Sequence, residues 1–345
     1  MKPTKVLMLS LTVFLLLCLD NSVFSQRIAS IPVGTFPVGV AVNRLTNRVY
    51  VANLVGQPLP PPLIEAPNTV TVIDGKTNQV VDEIVTGLDF QIGLAVDEVR
   101  NVIYVAMLDN GVDVLDAKTD KVLTNIPVAG EPTYPAINAF TKSVYVSDQL
   151  ASSLTLIDED ENNIVATIPL GGGSNVSEPE GVAVDPITNR VYVANFEPAG
   201  SVWVIDGRTN TLVATVPVGD SPFSIAVNLL TRRVYAANAG DNTISVIDER
   251  SNTVIANVPG GGFHVAVDEL RNRIYSCSIG RYGFNLLSII NGKNNGVLET
   301  ITLAGAYCGG LAVDSFRNRI YVTDDNTDSV IVIRGPRCFL RSTQQ

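Results

Sequence analysis

The sequence predicts an all-β protein, a seven-bladed β-propeller with four antiparallel strands per blade, and three observations lead there. A tyrosine recurs inside an apolar strand seven times, at Tyr50, Tyr104, Tyr145, Tyr192, Tyr235, Tyr275 and Tyr321. Seven residues before each stands an Asn or Asp: Asn43, Asp97, Asn138, Asp185, Asn228, Asp268 and Asp314. Further on, a Val/Ile-rich run ends in Asp74, Asp116, Asp158, Asp206, Asp248 and Asn291, with Arg334 in the seventh copy. The tyrosines are about 45 residues apart on average, a period that suits one four-stranded unit per copy. At 345 residues, 46% hydrophobic and 17% charged, the chain is long enough for two ordinary domains, but a repeat array of this period makes one.

Taken in order, residues 1–25 read as an export signal. Lys2 and Lys5 give a basic start, and Val6 to Leu19 is an apolar stretch of about 14 residues, short for a bilayer span. Cleavage after Ser25, with Val23 at −3, is expected; an uncleaved anchor, or a lipoprotein signal at Cys18, are the competing readings. Residues 26–335 form the propeller and residues 336–345 a flexible tail. Residues 27–34 resemble the fourth strands of other copies, and the seventh copy ends after its third strand, 329–334. The first strand therefore closes the ring by completing the last blade, which removes the open sheet edges of a linear array.

The fourth copy shows the parse. Its strands run 181–185, 190–195, 201–206 and 211–218, rich in Val, Ile, Ala and Thr with no helical period. The turns Pro186-Ile187-Thr188-Asn189 and Gly207-Arg208-Thr209-Asn210 supply the side-chain-bonded and left-handed positions that tight connections need. An alanine in the middle of each first strand (Ala41, Ala95, Ala136, Ala183, Ala226, Ala266, Ala312) lets seven strands crowd one axis.

The second strands end Tyr-Val-Ala-Asn at 50–53 and 192–195, Tyr-Ala-Ala-Asn at 235–238 and Tyr-Val-Thr-Asp at 321–324. Val-Ile-Asp closes three of the third strands. In these motifs, repeated in step over 27–335, the chain resembles the YVTN-repeat β-propeller family (the YncE-like and surface-layer type). Copies two, three and six diverge, with Met107, Asp148 and Ser278 in place of the Asn. The resemblance implies an exported protein, and few members of the family have an assigned reaction.

Blade geometry sorts the connections onto two faces. Turns between strands one and two, and three and four, are short and alike. Loops between strands two and three, and between blades, hold the length variation, including a Pro-rich insertion at 54–68 and a Gly-rich one at 171–180; function is expected on this face. Its mouth is expected to be lined by Phe36, Phe90, Glu131, Tyr134, Glu178, Glu180, Phe223, Phe263, His264 and Tyr307, with Asp148 and Asp324 at second-strand ends. Aromatic walls with a few carboxylates suit a small-molecule or peptide ligand, or a protein partner; the competing reading has the rings capping the core and the carboxylates solvated.

Catalysis finds little support. His264 is the single histidine, so sites built from several imidazoles are excluded. No catalytic residue, metal site or cofactor is assigned, although Asp148, Glu178, Glu180 and Asp324 could together hold Ca²⁺ or Mg²⁺. The Gly-rich stretches at 171–173 and 260–262 are linkers, because no helix follows them. Cys277 and Cys308 fall on the loop face of neighbouring blades, and an oxidising compartment would join them as a disulfide, leaving Cys338 in the tail. Asn175-Val176-Ser177 fits a glycosylation sequon. A formal net charge of −10 disfavours nucleic acid and anionic lipid as partners, and the mature chain has no segment apolar enough to span a membrane. The expected function is a secreted, periplasmic or cell-surface binding or scaffold module without catalysis; a metal-assisted lactonase or lyase on the same face is the alternative.

Overall fold

The computed structural model describes residues 25–54, 67–87, 89–171, 178–279, 285–303 and 307–336. Residues 1–24 of the expected export signal (1–25), most of both insertions, the sequon, and the tail with Cys338 lie outside the described residues. Among the described residues the chain forms 28 strands in seven antiparallel four-stranded sheets. Blade one runs β2 (Pro37–Asn43), β3 (Arg48–Asn53), β4 (Asn68–Asp74) and β5 (Gln79–Gly87), and the other blades repeat that meander. No helix among the described residues is long and apolar enough to cross a membrane.

Each strand's composition follows from where it sits. The second and third strands are buried on both faces between neighbouring sheets, so they read as continuous Val/Ile runs. The fourth strand is at the rim and largely exposed. The first strand borders the axis and is half open to it. All seven repeat tyrosines are at most 1% exposed; each fills the gap between adjacent sheets, and the apolar clusters accordingly span pairs of blades. One such cluster joins Ile31, Val49, Val51 and Ile73 to Tyr321, Val330 and Val332, so the last blade packs on the first.

The N-terminal strand β1 (Gln26–Pro32) pairs antiparallel with β28 (Ser329–Arg334), Ile31 opposite Val330 and Ala29 opposite Val332. It stops two residues short of Gly34, because Val33 turns away and donates its N–H to the Asp328 carbonyl at 2.9 Å. The sheet order is β1–β28–β27–β26, with β26 (Cys308–Asp314) innermost and β27 (Arg319–Asp324) between. Blade six departs from the pattern. Its first strand, β22, covers only Val265–Asp268, since Phe263 and His264 bond Cys277 across a bend instead of a regular ladder.

The repeated Asn and Asp residues close the short turns. The Asn43 side-chain oxygen accepts the N–H groups of Leu45 and Thr46, both at 3.0 Å, and Asp97 does the same for Val99 and Arg100 at 2.8 Å. Buried N–H groups need such acceptors. The Asn side chains also tie blades together: the Asn43 amide donates to Asn101 at 2.8 Å and that of Asn138 to Asn189 at 2.7 Å. Asn47, Asn101, Asn189, Asn272 and Asn318 sit at φ between 48° and 59°, a left-handed region that Asn tolerates better than most residues.

Candidate functional site

The first strands bring most of the expected residues to one mouth, on three different positions of the repeat. Phe36, Phe90, Glu131, Glu178 and Tyr307 immediately precede the strand; their carbonyls accept the N–H groups of Leu54, Leu108, Gln149, Phe196 and Asp325, which follow the second strands. Glu180, Phe223 and Phe263 lie two residues further on, and Tyr134 and His264 one beyond that. In this last column the other copies carry Gly39, Gly93, Gly181, Ser224 and Gly310.

Small residues stand there because the next blade's inner strand is so near. A Cβ on Gly93 would lie 2.7 Å from the Thr133 carbonyl, and one on Gly181 2.9 Å from that of Phe223. Tyr134 enters through β10 (Pro132–Asn138), whose register shift between Pro132 and Pro135 recurs in blades two and four, and His264 enters through the bend of blade six. Both rings then meet Phe223 of β18 (Pro222–Asn228).

Phe223 is the centre of the mouth. Its ring centroid lies 5.8 Å from Tyr134, 6.1 Å from Phe196, 5.5 Å from Phe263 and 5.4 Å from His264, mostly edge-on. Phe263 in turn meets Tyr307 at 6.5 Å. Blades three, four, five, six and seven thus contribute rings to one contiguous cluster. Edge-to-face rings at these separations attract beyond their buried area. Phe36 and Phe90 stand apart from this cluster; Phe90 is 49% exposed, and Phe36 holds φ at 49°.

The carboxylates divide into two kinds. Glu180, on β14 (Pro179–Asp185), is buried and takes a hydrogen bond from the Gln149 amide. Burial, then the nearby Glu178 charge, push its carboxyl up to about 8, against the Gln149 bond. Glu178 itself is exposed. Asp148 through Oδ1, and Asp324 through both carboxylate oxygens, accept hydrogen bonds from neighbouring loops. Asp148 accepts the N–H groups of Glu131 and Ala151 at 3.0 Å. Asp324 accepts those of Tyr307 at 3.0 Å and Asn326 at 3.2 Å, and the Thr327 hydroxyl at 2.6 Å. Among the described residues no three His, Cys, Asp or Glu side chains gather closely enough to hold a metal ion.

Two ring atoms at the mouth are held neutral. Burial lowers His264 to about 4, so it is an uncharged imidazole near pH 7, and burial with the Glu180 charge raises the Tyr134 phenol. Cys277 of β23 (Arg273–Ile279) and Cys308 are joined by a disulfide with their Cα atoms 6.4 Å apart, inside the core between blades six and seven.

Phe196 and Gln149 were not among the expected residues. Both occupy the position just after the second strand, held elsewhere by Leu54, Leu108, Ala239 and Asp325. Aligning that column across copies is the signal that singles them out.

No family model matches the chain. The chain is 23% identical over 225 residues to "Uncharacterized protein YncE" of Salmonella typhi, and equally so to that of Salmonella typhimurium strain LT2. The match covers 64% of this chain and 52% of each relative, so the chain spans about half the length of the curated relatives it matches.

Proposed function

Starting from a chain whose homology to YncE and seven-bladed ring fit the YncE-like, YVTN-type propellers, we propose an exported, non-catalytic binding module. It takes a peptide or small molecule carrying an apolar or aromatic group at the loop-face mouth. The observation that carries this reading is the ring cluster around Phe223, to which four separate blades contribute. Rigid rings present large contact area at small entropic cost, and the Glu180 carboxyl, kept protonated below about pH 8, adds a hydrogen-bond donor without a charge. The basic and apolar N-terminus supports export, and a disulfide between blades is at home in an oxidising compartment.

A thermal-shift screen against peptides, sugars, lactones and divalent ions tests the reading. A peptide or sugar is expected to raise the melting temperature, with affinity falling at least tenfold in Phe223→Ala. Phe140→Ala, an exposed ring on the opposite face, is expected to leave it unchanged. Stabilisation by Ca²⁺ or Mg²⁺ with metal-dependent turnover of a lactone would replace binding by the lactonase or lyase alternative.

A further inference from the structure

The opposite face carries a second concentration of chemistry, in the seam between blades four and five. A groove of about 330 Å³ there is lined by Arg190, Arg208, Arg232 and Arg250, with Asp206 and Glu249. Four guanidiniums around one small groove are conspicuous in a chain of net charge −10. Packing like charges together is unfavourable unless something of opposite sign joins them.

Two carboxylates against four guanidiniums leave the groove's lining in positive excess. None of the four arginines forms an ion pair among the described residues. Arg190 donates to the Glu249 carbonyl at 2.8 Å and the Asn252 amide oxygen at 3.3 Å. Its counterpart in blade one, Arg48, instead pairs with the Asp120 carboxylate at 2.9 Å. Arg319 meets Asn78 in the same uncharged way at 3.2 Å across the seam of blades seven and one. Arg208 donates to the Thr188 carbonyl at 3.3 Å, so two of the guanidiniums are oriented by backbone.

The two lining carboxylates are otherwise engaged. Asp206 accepts the backbone N–H of Arg208 at 2.8 Å. Glu249 is buried and turned inward, accepting the Tyr192 hydroxyl and the Thr188 hydroxyl at 3.1 Å each. Arg232 and Arg250 are exposed at the rim. Arg232 moreover occupies the left-handed position at φ 53° that five other copies give to Asn.

We infer that this groove binds a tetrahedral oxyanion, the phosphate or sulfate group of a small ester, between the oriented Arg190 and Arg208 and the rim pair Arg232 and Arg250. Guanidinium forks match such oxygens two at a time. The inference is independent of the mouth, since it rests on the other face.

Calorimetric titration of the purified protein with inorganic phosphate and with inorganic sulfate, chloride holding the ionic strength constant, tests it. Saturable binding at one site is expected, weakened at least tenfold in Arg232→Gln/Arg250→Gln and unchanged in Lys76→Gln/Lys118→Gln, which stand in blades one and two where Arg208 and Arg250 stand in blades four and five. The substituted side chains are exposed, and an unchanged melting temperature shows the variants folded. Tighter binding of glucose 6-phosphate than of glucose 6-sulfate assigns the ester class to phosphate, and the reverse to sulfate. No saturable binding of either oxyanion, or undiminished affinity in the double arginine variant, overturns the inference.

Discussion

Blades seven, one and two meet the axis differently from blades three to six. In the first group Gly309, Gly310 and Gly93 let inner strands approach almost to backbone contact, as Gly181 alone does in the second. In the second, Glu180 stands on the same columns, and Tyr134, Phe223, Phe263 and His264 converge on one ring cluster. The repeat therefore builds the ring, and departures from it build the mouth. The arginine groove obeys the same logic, with Arg232 in place of Asn and Glu249 in place of the Gly or Ala found at Gly75, Ala117, Gly207, Gly292 and Gly335.

The largest expected effect comes from the ring itself. Deleting residues 26–32 exposes β28 as an unpaired edge, and the truncated protein should aggregate or lose its cooperative melting transition; calorimetry with size-exclusion chromatography checks this. Replacing both Cys277 and Cys308 by Ala opens a 31-residue link and should cost about 3 kcal/mol, read by denaturant unfolding of the oxidised protein and the variant.

Single glycines within the first group show how far the close approach matters. Gly93→Ala forces a Cβ to 2.7 Å from a carbonyl oxygen, whereas in Gly39→Ala the nearest atom is at 3.4 Å. The first should lose about 2 kcal/mol and the second under about 1 kcal/mol. Equal losses would mean that the close approach of inner strands is not what the glycines serve.

The smallest effect is one of pH. Glu159, in the same departure column as Glu249, has its carboxyl raised to about 7, by burial first and the Asp97 charge second. An unfolded carboxyl titrates near 4.5, so between those values the folded protein holds a proton that the unfolded chain has released. The stability linked to this proton is full below about pH 4.5 and is lost as pH rises through about 7. Glu159→Gln should therefore gain on the order of 1–2 kcal/mol at pH 8 and almost nothing at pH 4.5, checked by urea unfolding at both.

Most of the ring was legible because each element is written seven times. The tyrosine, the Asn or Asp before it and the Val-Ile-Asp ends fix the strand order, and the fourth copy's strands fall within two residues of where periodicity puts them. The mouth was legible only in outline. Bulges such as those between Pro132 and Pro135, and between Pro179 and Val182, break the two-residue alternation where a first strand begins, so side-chain direction there does not follow from spacing. Asp148 and Asp324 read as open carboxylates because the loop N–H groups that occupy them leave no mark in the sequence. Phe196 lay one residue past the motif and was missed for that reason. The arginine seam joins residues from two blades, and no single copy displays it.

Returning a departure to the repeat tests the whole account most directly. Phe223→Val restores the kind of side chain that Val38 and Ile92 supply in blades one and two. Its melting curve, run with the ligand screen, should show a cooperative ring within a few degrees of the parent and no remaining stabilisation by mouth ligands. A variant that fails to fold, or that keeps every ligand response, would contradict the separation of scaffold from site.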